Sequence, residues 1–120
     1  MKKKFIKEPI FESYCWFVCD CNLEELNKWL KIKFNYQTKK RTGDIKGRTI
    51  YTYNQKTNAE NWIVWVKNEE NLTTLGHELI HLCCWILEYQ NIEISKNTEE
   101  VFALLWTFYF KECLKFLSKK

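Results

Sequence analysis

The chain has two histidines, and they stand four residues apart with a glutamate directly after the first, as His77-Glu78-Leu79-Ile80-His81. On an α-helix, residues at that separation share a face, so both imidazoles can aim a nitrogen at one ion. Glu78 is turned about 100° round the helix from His77, outside the bite of the pair but beside the place a metal-held water would occupy. Zinc lowers the pKa of such a water to about 7, and a neighbouring carboxylate can take its proton as it attacks a polarised carbonyl. The pattern therefore points to Zn2+ held by His77 and His81, with Glu78 as general base. The competing reading is two histidines satisfied by ordinary hydrogen bonds. For this composition the chance occurrence of the pattern is on the order of one in five hundred.

A helix must carry the motif. Over residues 71 to about 90, Leu72, Leu75, Leu79, Leu82 and Ile86 form one stripe, and His77, His81, Cys84 and Glu88 form another on the opposite side. Ile80, Cys83, Trp85 and Leu87 fill the flanks, which predicts a helix buried nearly all round, with its histidines facing something enclosed. Residues 68 to 71 supply caps. Gly76 costs this helix about 1 kcal/mol relative to alanine, and a close backbone approach beside the site would account for it.

A catalytic zinc commonly has three protein ligands and one open position. Glu100 is acidic, downstream, and at the start of a second helix, from about Thr98 to Leu117. The small residues Ala103 and Thr107 follow it on nearly the same face, leaving room for an ion and a water. Its competing role is a capping box, with Asn97 as N-cap and Glu100 at the third helical position. Glu99 points about 100° away. Cys84 follows His81 on the same face and is a further candidate thiolate ligand, although three ligands from one straight helix strain a tetrahedral site.

Upstream, Tyr14 to Val18 reads as a strand, and Asn22 caps a helix whose apolar face is Leu23, Leu26, Trp29, Leu30 and Phe34. Residues 35 to 47 read as a loop. Arg48 to Tyr53 and Trp62 to Lys67 follow as an antiparallel hairpin, the second run apolar on both sides. Residues 1 to 12 read as a loose N-terminal arm on a single domain spanning 1–120. The order predicts an α+β fold: a small antiparallel sheet packed against helices, with the motif helix central and the C-terminal helix lying across it.

Composition bounds the function classes. With 120 residues, 46% hydrophobic, and three Gly and one Pro, the chain is a single compact unit and not a disordered one. The net charge of +4 is concentrated at the termini and in Lys39-Lys40-Arg41 with Lys46 and Arg48. No aromatic is interleaved there, which argues against a nucleic-acid partner. Lys7, Glu8 and Pro9 interrupt the apolar start, so it does not read as a signal peptide, and no run is long enough to span a membrane. A cytoplasmic protein is expected, and its six cysteines are then free thiols, with Cys15, Cys19, Cys83 and Cys113 acting as small buried hydrophobes.

The strand running into Leu75-Gly-His-Glu-Leu-Ile-His-Leu82, followed by Asn97-Thr-Glu-Glu-Val-Phe-Ala-Leu-Leu105, resembles the small metallopeptidase-like proteins encoded by bacteriophages, of the gluzincin type. The resemblance covers roughly residues 50 to 110. It implies a minimal zincin-like fold, zinc ligands His77, His81 and Glu100, and Glu78 as base. The family's acidic-Glu-x-x-Ala pattern falls on Glu99-Glu100-Val101-Phe102-Ala103 and favours Glu100 over Glu99. The expected activity is hydrolysis of a peptide bond in a peptide or protein, such as a host protein. A substrate backbone would pair on the strand before the motif helix, placed at Trp62 to Lys67, and Tyr51, Tyr53 and Tyr109 are candidate oxyanion stabilisers. The alternative is a non-enzymatic phage protein that binds a host factor and holds a structural zinc, with Cys84 or Glu99 as fourth ligand.

Overall fold

A computed structural model of the protein describes residues 1–38 and 45–119. Its elements run β1 (Lys2–Lys7), β2 (Tyr14–Cys19), α1 (Leu23–Phe34), β3 (Gly47–Asn54), β4 (Ala59–Val66), α2 (Leu72–Tyr89) and α3 (Glu99–Ser118). The class is α+β, but the sheet is mixed and not antiparallel. Its order is β1-β2-β4-β3, with β2 parallel to β4 and the other two pairs antiparallel. Parallel neighbours need a crossover. Here the chain leaves β2 through α1, forms the far edge as β3, and returns by hairpin into the slot beside β2.

Alternation along β4 divides the molecule into two cores. Ile63 and Trp65 point to α1, where they meet Val18, Leu26, Leu30 and Ile50. Trp62, Val64 and Val66 point the other way, onto the buried stripes of α2 and α3. Both faces of the strand are therefore covered, as its continuous apolar run predicts. Asn22 opens α1 with a full capping box: its side chain accepts from the Glu25 N–H at 2.8 Å, and Glu25 accepts from the Asn22 N–H at 3.2 Å.

The N-terminal arm expected over residues 1 to 12 is instead an edge strand and a tight loop. Ile6 is the one buried residue of β1, and lysines surround it, which is how an open sheet edge is protected from further pairing. The loop is built on Glu8, which is fully buried. Its carboxylate accepts from the N–H groups of Ile10 at 2.6 Å, Phe11 at 3.0 Å and Ser13 at 2.8 Å, and from the Ser13 hydroxyl. That hydroxyl lies 3.0 Å from the hydroxyl of Tyr109 on α3, tying the loop to the helix layer.

Helices α2 and α3 pack side by side on the sheet, and the Trp106 indole donates to the Gly76 carbonyl at 3.3 Å. All six cysteines are free, five of them buried. No helix among the described residues is long and apolar enough to cross a membrane. The basic triplet Lys39-Lys40-Arg41 lies outside the described residues.

Candidate metal centre

Helix α2 begins at Asn71, whose side chain accepts from the Thr74 N–H at 3.0 Å. From there Leu75, Leu79, Leu82 and Ile86 are buried against the sheet and α3, while Leu72 is exposed. The opposite side is not enclosed. His77, Ile80 and His81 are exposed, because the sheet and α3 together cover only part of the helix circumference. The site is thus a rim on the surface and not the interior pocket that the apolar flanks predict.

On that rim the two histidines converge. Their Nε2 atoms are 3.1 Å apart, with ring centroids 4.8 Å apart. Two nitrogens each about 2.0–2.1 Å from a tetrahedral zinc are separated by about 3.3 Å, so the pair fits one ion with a shift of a few tenths of an ångström. The same contact satisfies the pair as a hydrogen bond when a proton lies between the rings. Metal and proton therefore compete for one place.

Glu78 is turned toward the sheet and is buried, 8% exposed. The Thr49 hydroxyl on β3 lies 2.9 Å from Glu78 Oε1 and 2.8 Å from the Glu78 carbonyl oxygen, so its one proton is shared between two acceptors. The strand and helix can come this close because residue 47 is glycine. A Cβ there would stand 2.5 Å from Thr74 Cγ2, 3.0 Å from the Trp65 carbonyl oxygen and 3.2 Å from Glu78 Cγ. Gly76 is different: a Cβ would meet only Trp106 Cζ2, at an ordinary 3.8 Å, so the approach expected there does not require glycine.

Among the described residues, the strand beside the motif helix that has an unpaired edge is β3. Trp62 to Lys67, expected to be that edge, lies mostly in β4, which is flanked by β2 and β3. A peptide pairing with this sheet on the Glu78 side would have to add to β3.

Glu100 lies in the exposed first turn of α3, on the same exposed face as Ala103 and Thr107. The capping box with Asn97 does not form. The N-cap is Thr98, whose hydroxyl donates to the Glu93 carbonyl, and no side chain caps the helix. Among the described residues, no group of three or more His, Cys, Asp or Glu is gathered where it could hold a metal. The structure therefore joins His77 to His81 and does not bring Glu100, Glu99 or Cys84 to them. Burial, with the Glu88 charge adding to it, pushes the half-buried Cys84 thiol up, away from thiolate character. Of the tyrosines, Tyr109 is fully buried against Ser13, and the Tyr53 hydroxyl donates to Asn58 Oδ1 at 2.7 Å.

From the histidines a row of rings leads back to the sheet edge. His77 to His81 is 4.8 Å between centroids, His81 to Trp85 6.4 Å, Trp85 to Trp62 6.0 Å and Trp62 to Tyr51 4.6 Å. No protein-family model, curated protein or solved structure matches the chain. Sequence reasoning missed Thr49 and Gly47, since neither type is diagnostic and the Thr49 to Glu78 contact spans 29 residues.

Proposed function

We propose that the chain is a zinc-dependent metallopeptidase of the HExxH type with a zincin-like arrangement of sheet and motif helix. The observation that carries this reading is the 3.1 Å convergence of His77 and His81 Nε2, with Glu78 one residue round the helix against an open-edged strand. Zinc, when bound, supplies a Lewis acid and an acidified water. The chain supplies the rest. His77 and His81 would hold the ion, and a Glu78 carboxylate oxygen would take a proton from the attacking water and return it to the leaving amine as the C–N bond breaks. Backbone groups of β3 hold an extended peptide in register.

Glu100 is the proposed third ligand. This assignment rests on the likeness of Glu99-Glu100-Val101-Phe102-Ala103 to the gluzincin pattern; Glu100 is exposed at the start of α3 and would have to be brought to the histidine pair. The exposure of both histidines supports an open, catalytic site over a closed structural one, since a structural zinc has all four positions filled by protein. The expected partner is a peptide or a protein such as a host protein, in the cytoplasm.

The test is Glu78→Gln in the full chain. Zinc stoichiometry and melting temperature should stay close to the parent, while hydrolysis of a mixed peptide library falls by about 10²–10⁴-fold, the contribution of general-base catalysis. His81→Ala should abolish zinc binding and make the melting temperature insensitive to chelator. A parent protein that takes up no zinc, or a Glu78→Gln variant with undiminished hydrolysis, overturns the reading.

A further inference from the structure

The row of rings does more than connect the histidines to the sheet. Between α2 and the β3–β4 hairpin, Tyr51, Trp62, Trp85, Glu88 and Tyr89 line an open hollow of 440 Å³. Tyr51 and Trp62 are cross-strand partners on the α2 face of the sheet, and Trp85 and Tyr89 stand one turn apart on the helix. Glu60, the partner of Tyr53 on the same hairpin, accepts from the Tyr89 hydroxyl at 2.8 Å. Burial and the nearby Glu60 charge hold the Tyr51 phenol up, and the bond to Glu60 does the same for Tyr89, so both rings remain neutral donors facing a carboxylate. Glu88 closes the other side. The surface is aromatic on its walls and negative at its rim, on a chain whose net charge is +4.

Such a surface selects a cation. Ring faces attract an ammonium or guanidinium through their quadrupole, and flanking carboxylates add a charge partner. Elsewhere the fold uses this chemistry internally. Lys33 Nζ sits 4.4 Å from the Trp16 ring centre and Lys3 Nζ 5.6 Å from that of Trp29, both on the α1 face. In the hollow the flanking groups are Glu60 and Glu88 instead. Its position is also informative. Trp85 and Glu88 follow His81 by four and seven residues, about 6–10 Å along the helix axis, which is two to three residues of an extended peptide.

We propose that this hollow is a specificity subsite that takes the lysine or arginine side chain of an extended peptide, two to three residues from the bond placed at the His77–His81 rim. As a substrate subsite the inference rests on the metallopeptidase reading. As a cation site it does not, and the test uses that difference.

The full chain, uniformly 15N-labelled and without added metal, is titrated with acetyl-Gly-Lys-Gly-amide, its arginine counterpart and its norleucine counterpart, following the tryptophan indole signals. The two cationic peptides should shift the Trp62 and Trp85 indoles and bind on the order of 10-fold more tightly than norleucine, with the preference shrinking as salt is raised. Glu88→Gln, an exposed change that leaves the fold alone, should reduce the preference severalfold, and Trp85→Leu should remove it. Equal binding of the norleucine peptide, shifts confined to other indoles, or no shift at millimolar peptide overturns the proposal. With zinc present, cleavage sites in a peptide library should carry Lys or Arg two or three residues from the cut. Cleavage without that preference overturns the subsite while leaving the peptidase standing. Cation binding without any cleavage has the opposite effect: the peptidase reading falls and the cation site stands.

Discussion

Gly47 sets how closely the edge strand approaches the motif helix, so Gly47→Ala tests the architecture of the site directly. The added Cβ would lie 2.5 Å from Thr74 Cγ2 and 3.0 Å from the Trp65 carbonyl oxygen, whereas carbon atoms pack at about 3.5–4.0 Å. The Trp65 carbonyl belongs to the neighbouring strand and cannot turn away, and the β-branched Thr74 has only two χ1 rotamers open to it on a helix. β3 must therefore move off α2 by about 1 Å, a kind of overpacking that costs about 1–3 kcal/mol. Thr74→Ser removes the offending methyl and by itself should cost about 0.5 kcal/mol, since the cap on Asn71 uses the Thr74 backbone N–H. Combined, the two changes should recover about 1 kcal/mol of the Gly47→Ala loss, leaving the tight contact with the Trp65 carbonyl. Urea denaturation followed by tryptophan fluorescence gives all four corners of the cycle. A neutral Gly47→Ala, or two effects that add to within about 0.5 kcal/mol, would refute the packing argument.

Gly76→Ala should stabilise the protein by about 1 kcal/mol in the same denaturation assay, because the new methyl meets only Trp106 Cζ2 at 3.8 Å and the helix loses its glycine. Thr49→Val removes the donor recorded for Glu78 at almost constant volume. It should cost about 1–2 kcal/mol of stability in the same assay and, if hydrolysis is found, lower its rate, since the carboxylate loses the hydroxyl that fixes its position. Alkaline conditions should destabilise the fold through its thiols. Burial pushes Cys15 from 9.0 up to about 12, and Cys83 and Cys113 also upward. These groups stay protonated in the folded chain while the unfolded chain ionises. Stability should therefore be intact below pH 9 and fall between pH 9 and about 12, by up to roughly 1.4 kcal/mol per pH unit for each thiol. Denaturation midpoints at pH 8.0, 9.5 and 10.5 should show the decline, and Cys113→Ala should flatten it.

What the sequence revealed follows what is local. The three helices carry their own periodicity, α1 and α2 also their caps at Asn22 and Asn71, and the β3–β4 hairpin its two strand-like runs, so their existence is legible to within a few residues. β1 is not, because a strand with one buried residue among lysines has the composition of a solvated tail. Strand order is not legible either, since nothing in Trp62-Ile63-Val64-Trp65-Val66 says that its second neighbour is the parallel β2. The same division runs through the site. His77, Glu78 and His81 lie on one helix and are read from spacing alone. Thr49 and Gly47 act on Glu78 from a strand about 30 positions earlier, and the rings of Tyr51, Trp62, Trp85 and Tyr89 look like core residues until the fold leaves one side of them open.

The two buried glutamates show why the edge strand matters to the chemistry. Burying a carboxylate is costly unless hydrogen bonds replace its water. Glu8 meets that requirement fully, with three backbone N–H groups and a hydroxyl around it, and so fixes a loop. Glu78 is buried almost as deeply, yet among the described residues its recorded donor is the single Thr49 hydroxyl, shared with a carbonyl. A side chain kept there for packing alone would be better as leucine or methionine, and one kept for a structural hydrogen bond would be surrounded as Glu8 is. A carboxylate fixed from one side by a strand, with its remaining acceptor capacity uncommitted, has what a general base needs: a defined position and room for a proton. The strand that holds it also has the open edge on which a peptide could pair. Positioning of the base and of the substrate thus falls to one element, and the missing side chain at Gly47 is what lets that element lie so close to α2.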